Sequence, residues 1–133
     1  MASLLYDKGR EGFLDGSIDW DTDTIKCCLL DLTLYTLNAS THTFLSDVAS
    51  GARIGTPQTL ASKTVTAGVA DAADVTFPSV ALGNACAAFL LWKDTGVAGT
   101  SRLIAYIDGF SVTPNGGNIN VQFDNGGNKI FKL

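Results

Sequence analysis

The chain has few charged residues and lacks a basic cluster. Only 17% of its 133 residues are charged, and the formal net charge at pH 7 is −4. Glu11 is the only glutamate among the 13 acidic residues, and the aspartates that make up the rest favour turns over helix interiors. Because a phosphate backbone is bound through Lys and Arg, this composition argues against a nucleic-acid partner.

Long apolar runs are missing as well. No stretch of the sequence approaches the roughly 20 residues that a membrane-spanning helix needs. The first residues, Met-Ala-Ser-Leu-Leu-Tyr-Asp-Lys, contain no basic region followed by an apolar segment, as a secretory signal would. We therefore expect neither a membrane partner nor secretion.

Cysteine is scarce, and its spacing matches no metal motif. Cys27, Cys28 and Cys86 include no Cys-x-x-Cys pair. Adjacent Cys27 and Cys28 would point to opposite faces of a strand, so they suit neither a mutual disulfide nor a shared metal ion. The pattern predicts buried thiols in a reducing compartment. A disulfide between Cys86 and one of the pair stays open as an alternative.

The composition is typical of a strand-rich protein. Hydrophobic residues make up 46% of the chain, and β-branched and aromatic runs alternate with turns rich in Gly and Asn. The length fits a single domain, residues 1–133, that is large enough to bury a core. We predict a mainly β fold: an antiparallel β-sandwich or barrel, jelly-roll-like, with a short N-terminal helix.

The N-terminal helix is predicted over residues 3–15. Ser3 can cap its start, and Gly16 can follow its last turn. Leu5, Gly9 and Phe13 would then share one face of the helix. Glycine weakens an isolated helix, so packing must hold this one, and a small residue would let it lie close to another backbone.

Apolar runs and turn residues place the other elements. A helical turn is predicted over residues 42–49, and a loop over 50–62, which contain Pro57. The final two strands are expected to form a hairpin through Asn125-Gly126-Gly127-Asn128. Strands are predicted over residues 24–32, 63–69, 74–80, 85–93, 102–108, 119–124 and 129–133.

One short motif matches a catalytic sequence. Asp94-Thr95-Gly96 is the Asp-Thr-Gly of dimeric retroviral-type aspartic proteases, in which each subunit supplies one carboxylate of a pair that shares a proton. Trp92 and Lys93 stand where that family keeps small apolar residues, and only 37 residues follow the motif. We therefore favour a turn, in which Asp accepts backbone hydrogen bonds and Gly takes a positive φ.

Three acids in alternate positions resemble the start of a calcium loop. Asp19, Asp21 and Asp23 could converge on a hard cation. In an EF-hand the sixth and twelfth loop positions are Gly and Glu, whereas here they are Thr24 and Leu30. The EF-hand interpretation fails, and a looser cation site or a solvated acidic turn stays open.

The remaining candidate residues carry no recognisable reaction chemistry. His42 is the only histidine, and no Gly-x-Ser-x-Gly elbow accompanies it, although the members of a Ser-His-Asp triad can lie far apart in sequence. The aromatics Trp20, Trp92, Tyr106 and Phe131 are predicted to be core or interface residues, with carbohydrate stacking by Trp20 as an alternative. We assign no catalytic, cofactor-binding or metal-ligating residue from the sequence.

Seven segments spread from residue 4 to residue 133 carry a family resemblance. They are residues 4–14 (Leu-Leu-Tyr-Asp-Lys-Gly-Arg-Glu-Gly-Phe-Leu), 18–20, 71–77, 93–96, 103–108, 112–117 and 124–133. In combination they resemble a family of small virion structural proteins of tailed bacteriophages. Cys27, Cys28 and Cys86 depart from the pattern. The resemblance implies a virion component with a β fold and no cofactor, without implying catalytic residues or a place in the particle.

From the resemblance and the lack of a catalytic signature, we expect a non-enzymatic capsid decoration or cement protein. Its partner would be the major capsid protein, and by analogy with other decoration proteins it would bind as a homotrimer. The protein would be made in the host cytoplasm and reside in the virion, with no small-molecule substrate. A neck, tail or fibre-associated component is the alternative, and the Asp94 protease is the alternative of another class.

Overall fold

Antiparallel β-strands make up most of the fold. The computed structural model describes residues 2–124, 126–127 and 129–133. In these residues the helix α1 (Asp7–Asp15) accompanies two short 3-10 turns, Leu45–Asp47 and Ser50–Ala52. The strands are β1 (Ala2–Leu5), β2 (Ile25–Leu30), β3 (Arg53–Thr59), β4 (Thr64–Thr66), β5 (Val69–Asp71), β6 (Val75–Phe77), β7 (Cys86–Lys93), β8 (Leu103–Val112), β9 (Ile119–Val121) and β10 (Phe131–Lys132).

A five-stranded antiparallel sheet forms the centre, in the order β1-β8-β7-β2-β3. The inner strands β2, β7 and β8 confirm the strands predicted over 24–32, 85–93 and 102–108, although β8 continues to Val112. These strands are apolar at successive positions because both faces of the sheet are covered. Strands β1 and β3 remain at the edges, so the sheet does not close into a barrel.

Two smaller sheets, β10-β5-β4 and β6-β9, contribute to the core on one face of the central sheet. Phe89 of β7 belongs to the same apolar cluster as Phe77, Ile119 and Phe131 of the smaller sheets, and all four are buried. Removing this apolar surface from water is the main favourable contribution to folding. The arrangement is β-sandwich-like, as the sequence predicts.

The opposite face of the central sheet packs against irregular chain. Trp92 of β7 shares a second apolar cluster with Tyr6, Tyr35 and Val48. Val48 follows the 3-10 turn Leu45–Asp47, so a helical turn lies within the predicted residues 42–49 but is shorter than predicted. The central sheet therefore has a core on each side.

The N-terminal helix is shorter than predicted. Ser3 does not cap it; it lies in β1, opposite Ile107 of β8, and Tyr6 precedes the first helical turn. The pairing of β1 with β8 satisfies backbone groups that a longer helix would have used internally. The predicted end at Gly16 is confirmed, with φ of 81°. None of the helices in the described part of the chain is long and apolar enough to cross a lipid bilayer.

The loop predicted over residues 50–62 is largely wrong. Its centre is β3, which pairs with β2 through contacts such as Leu29 opposite Ile54. Pro57 has no N–H to donate, and it is tolerated because β3 lies at the edge of the sheet. The turn-forming residues of this segment, Pro57 among them, therefore led to the prediction of a loop where the structure has an edge strand.

Strand pairing differs from the prediction towards the C-terminus. The expected hairpin between strands 119–124 and 129–133 is wrong, since β9 pairs with β6 and β10 pairs with β5. Asn125 and Asn128 of the predicted turn lie outside the described residues. The strand predicted over 63–69 is instead the hairpin of β4 and β5, which turns at Ala67 and Gly68 with φ of 53° and 77°.

Candidate functional site

Asp94 opens the turn between β7 and β8. Its backbone N–H donates to the carbonyl oxygen of Thr24 at 2.9 Å, and its Oδ2 lies 3.3 Å from Nζ of Lys26. About a fifth of the Asp94 side chain is exposed. The carboxylate therefore joins this turn to β2 by an ion pair.

Hydroxyl groups complete the Asp94-Thr95-Gly96 turn. Thr95 donates its backbone N–H to Oγ of Ser101 at 3.1 Å, and its Oγ1 lies 2.6 Å from Oγ1 of Thr100. Ser101 is buried and donates to the carbonyl oxygen of Val97 at 2.9 Å. The motif thus has the local hydrogen bonds and positive-φ glycine of a turn, with Gly96 at φ 85°.

The acidic loop Asp19–Asp23 is closed by two hydrogen bonds between its first and last residues. The N–H of Asp19 donates to Oδ2 of Asp23 at 2.7 Å, and the N–H of Asp23 donates to the carbonyl oxygen of Asp19 at 2.9 Å. Lys93 places Nζ 3.3 Å from Oδ2 of Asp23, and Lys63 donates to the Asp23 carbonyl oxygen. Within the described ranges, no group of three or more His, Cys, Asp or Glu side chains is arranged to hold a metal ion.

An open cavity of about 400 Å³, which we call the aromatic groove, lies between the end of α1 and the sheet β10-β5-β4. The ring of Phe131 lies 5.2 Å from that of Trp20 and 5.6 Å from that of Phe13, between centroids. Val65 and Leu133 stand at the groove with more than half of their surfaces exposed. The lining residues are Phe13, Gly16, Ile18, Asp19, Trp20, Asp21, Val65, Gly68, Ala70, Phe131 and Leu133.

Trp20 anchors the groove to the fold. Its Nε1 donates to the carbonyl oxygen of Asp71 at 3.1 Å, and only 4% of the residue is exposed. A buried ring with its N–H in use offers no open face for a sugar, so the alternative of carbohydrate stacking is not supported. Trp20 and Phe131 are core residues, as predicted, together with Trp92 and Tyr106.

Two exposed carboxylates, those of Asp19 and Asp21, give the aromatic groove its charge. A hydrogen bond between these side chains lowers the pKa of Asp19 and raises the pKa of Asp21, because the ionised Asp19 accepts it and repels a second charge. Among the described residues that line the groove there is no Lys or Arg. An apolar surface with a negative edge suits a ligand that joins an apolar group to a cation.

His42 belongs to a hydrogen-bonded chain with two tyrosines. The hydroxyl oxygen of Tyr35 lies 2.8 Å from Nδ1 of His42 and 2.8 Å from the hydroxyl oxygen of Tyr6. Burial raises the pKa of Tyr6, and likewise that of Tyr35, so both hydroxyls stay protonated at neutral pH. These hydrogen bonds link Tyr6, which precedes α1, to the irregular segment that covers the second core. No local sequence pattern reveals this contact between distant residues.

The three cysteines are buried free thiols in the structure. Cys27 and Cys28 lie in the apolar clusters on opposite faces of the central sheet, as their adjacency in β2 predicts. Burial raises the pKa of Cys27 to about 12 and that of Cys86 to about 11, and it raises the pKa of Cys28 as well. Such thiols are poor nucleophiles near neutral pH.

Comparison with known proteins assigns no function to these features. A scan of the chain against protein-family models gave no match, and a search among curated proteins gave none either. The aromatic groove is therefore the candidate functional site on geometry alone, since it combines an open apolar surface with charged side chains. The sequence named Trp20, Phe131, Asp19 and Asp21 separately, without indicating that they meet.

Proposed function

We propose that the protein is a structural component of a tailed-phage virion, and specifically a capsid decoration protein. It would bind the lattice of the major capsid protein as a homo-oligomer, for which we favour a trimer. The combination of sequence segments that resembles phage virion proteins supports this proposal. A β-sandwich-like domain with exposed apolar side chains is also suited to a protein that works by covering other proteins.

The observation that carries the proposal is the set of exposed apolar side chains. Among the described residues, six large apolar side chains are more than half exposed, and two of these, Val65 and Leu133, stand at the aromatic groove. Contiguous apolar surface such as the part of the groove that Val65 and Leu133 share marks protein–protein contacts or ligand-binding sites. The six residues are Leu14, Leu34, Val65, Leu82, Val97 and Leu133.

The polar candidate residues have structural contacts that are compatible with this proposal. Asp94 pairs with Lys26, and Asp23 accepts from the Asp19 backbone and pairs with Lys93. These carboxylates hold turns and neighbouring strands together. A lattice-binding protein requires a stable fold and does not require side chains with catalytic roles.

A capsid presents many identical binding sites, so an oligomer can stay bound even when the contact made by each subunit is weak. When one subunit of an oligomer is attached, the others bind at a high effective concentration. Three-fold positions of a lattice present three equivalent sites, so a trimer could occupy them with identical patches on each subunit. The proposed function therefore needs no single high-affinity pocket.

The test is binding to particles that lack the protein. Purified protein should co-sediment with such capsids. Binding should saturate at on the order of hundreds of copies per particle, as expected for sites repeated over a lattice. A low copy number in intact particles together with no binding to capsids would favour the neck, tail or fibre alternative. Peptide hydrolysis by the purified protein would instead favour the protease alternative.

A further inference from the structure

We infer that the aromatic groove is the contact between copies of this chain, and that it receives Leu14 and Arg10 from the α1 of a second copy. The inference rests on the oligomer of the proposed function and goes beyond it, because it names the two surfaces that meet. It follows from three properties of the described residues: an exposed apolar side chain, a cation beside it, and a groove of complementary character.

Leu14 is the most exposed large apolar residue of the described chain, with 86% of its surface accessible. Arg10 lies one turn before it on α1, and side chains four residues apart share a helix face. The guanidinium of Arg10 lies 3.8 Å from the Asp7 carboxylate, and about half of each side chain is exposed. An exposed pair of this kind contributes little, so Arg10 can exchange it for a better partner.

The aromatic groove offers the complement of that face. Its apolar lining of Phe13, Val65 and Phe131 would remove Leu14 from water, and a volume of about 400 Å³ leaves room for such a side chain. Four helical residues span about 6 Å along the helix axis, so the guanidinium of Arg10 would reach the groove about 6 Å from Leu14. There Asp19 and Asp21 would bind it. Arginine can bind carboxylates in a bidentate manner, and its charge would relieve the repulsion between the two acids.

Charge complementarity and position favour a second copy as the occupant. The groove has negative side chains and no basic one among its described lining residues, whereas Arg10 and Leu14 place a cation and an apolar group on one face. Phe13 of α1 lines the groove while Leu14, the next residue, points to solvent. Each copy can therefore donate one surface and receive through the other, and such a contact closes as a trimer when each copy is rotated by a third of a turn.

The first experiment compares substitutions at two leucines whose side chains are both largely exposed to solvent. Leu14→Asp should raise the dissociation constant of the oligomer by about tenfold or more, as expected when a charge replaces a buried leucine. Leu82→Asp is the control, because Leu82 is 80% exposed and does not line the groove. Light scattering across a dilution series measures the oligomer, and circular dichroism establishes that each variant is folded.

The second experiment exchanges the charges. Arg10→Asp and Asp21→Arg should each weaken the oligomer, and the double variant should regain most of the loss because the attraction is restored with reversed signs. Both side chains are exposed, so neither substitution disturbs the core. Recovery in the double variant separates a direct contact from a general effect of charge.

The outcomes distinguish this inference from the proposed function. An oligomer that is unaffected by Leu14→Asp and by the charge exchange would overturn the groove contact and leave the decoration function standing. A wild-type monomer at micromolar concentration would also overturn it. If that monomer bound capsids and lost binding with Leu14→Asp, the occupant would be the capsid protein rather than a second copy. Failure of capsid binding by an intact oligomer would count against the proposed function alone.

Discussion

Gly9 of α1 lies so close to β8 that a Cβ atom on it would stand 2.8 Å from the carbonyl oxygen of Leu103. The same atom would be 2.9 Å from Cα of Ile104. These neighbours are backbone atoms of a central strand, so they cannot move aside as a flexible side chain would. The glycine thus permits the direct packing of helix on sheet that its place in the sequence predicts.

We predict that Gly9→Ala destabilises the protein. In an unobstructed helix this substitution would stabilise by about 1 kcal/mol, because alanine has the higher helix propensity. Here the added methyl group must displace three backbone atoms of β8 that lie within 3.0 Å of it, so the cost should be in the upper part of the usual range for overpacking, about 2–3 kcal/mol. We expect the free energy of unfolding to fall by about 1–2 kcal/mol after this offset, as measured by chemical denaturation.

A matched control for this substitution is Gly99→Ala. No atom lies within 4 Å of the position that a Cβ atom on Gly99 would occupy, among the described residues. The change in stability should stay within about 0.5 kcal/mol. Equal stability of Gly9→Ala and the wild type would contradict the close packing of α1 on β8.

The inner strands of the central sheet were predictable because their sequence signal is local. Strands β2, β7 and β8 are apolar runs of sufficient length, and any strand covered on both faces has that pattern. Strand β3 was missed because Pro57 reads as a loop signal, while an edge strand tolerates it. Turn residues between 124 and 129 indicate where the chain reverses but do not determine which strands pair, so the predicted C-terminal hairpin was wrong.

The candidate site was predictable only in its parts. Trp20, Phe131 and the acids at 19 and 21 were each noticed, but the groove exists because the end of α1 meets β10 in space. Contacts between residues so far apart in sequence follow from tertiary packing, which leaves no local pattern in a single sequence. The hydrogen bond between Tyr6 and Tyr35 was missed for the same reason.

We predict that all three cysteines are unreactive in the folded protein and reactive once it unfolds. Alkylating reagents react with the thiolate, and burial raises the pKa of Cys27 to about 12 and that of Cys86 to about 11. In mildly alkaline buffer the native protein should therefore label slowly. In denaturant without reductant, mass spectrometry should find three labels. Two protected sulfurs would indicate a disulfide and contradict the free thiols.

Asp47 should make the fold more stable at neutral pH than at acid pH. Its Oδ2 accepts the backbone N–H of Thr43 at 2.7 Å and that of Phe44 at 3.0 Å, and these bonds lower its pKa below the ordinary 3.8. A lowered pKa means that the folded state favours the carboxylate. The stabilisation is therefore complete above the unfolded pKa and is lost as the pH falls through the folded one.

Asp47→Ala tests this pH dependence. At neutral pH the variant should be less stable than the wild type by about 1 kcal/mol, a usual value for losing such a capping interaction. As the pH falls below the ordinary aspartate pKa, the difference between the two melting temperatures should narrow. Asp47→Asn keeps an oxygen acceptor without the charge. Its stability at neutral pH should therefore lie between those of the wild type and Asp47→Ala. A difference that stays constant with pH would rule out the carboxylate as its source.

The last prediction is that Asp94 acts through its ion pair with Lys26. The two charged groups are 3.3 Å apart, and both side chains are partly exposed, so the coupling between them should be about 0.2–1 kcal/mol.

A double-mutant cycle isolates that coupling. Asp94→Asn and Lys26→Met should each lower the free energy of unfolding slightly, and the double variant should lose less than the sum, because the second substitution has no partner left to remove. Additive losses would show that the pair contributes nothing.

The same Asp94→Asn protein provides the test of the Asp-Thr-Gly motif. A structural turn predicts that neither the wild type nor the variant cleaves peptides, whereas hydrolysis by the wild type that disappears with Asp94→Asn would establish a catalytic carboxylate and overturn the structural assignment.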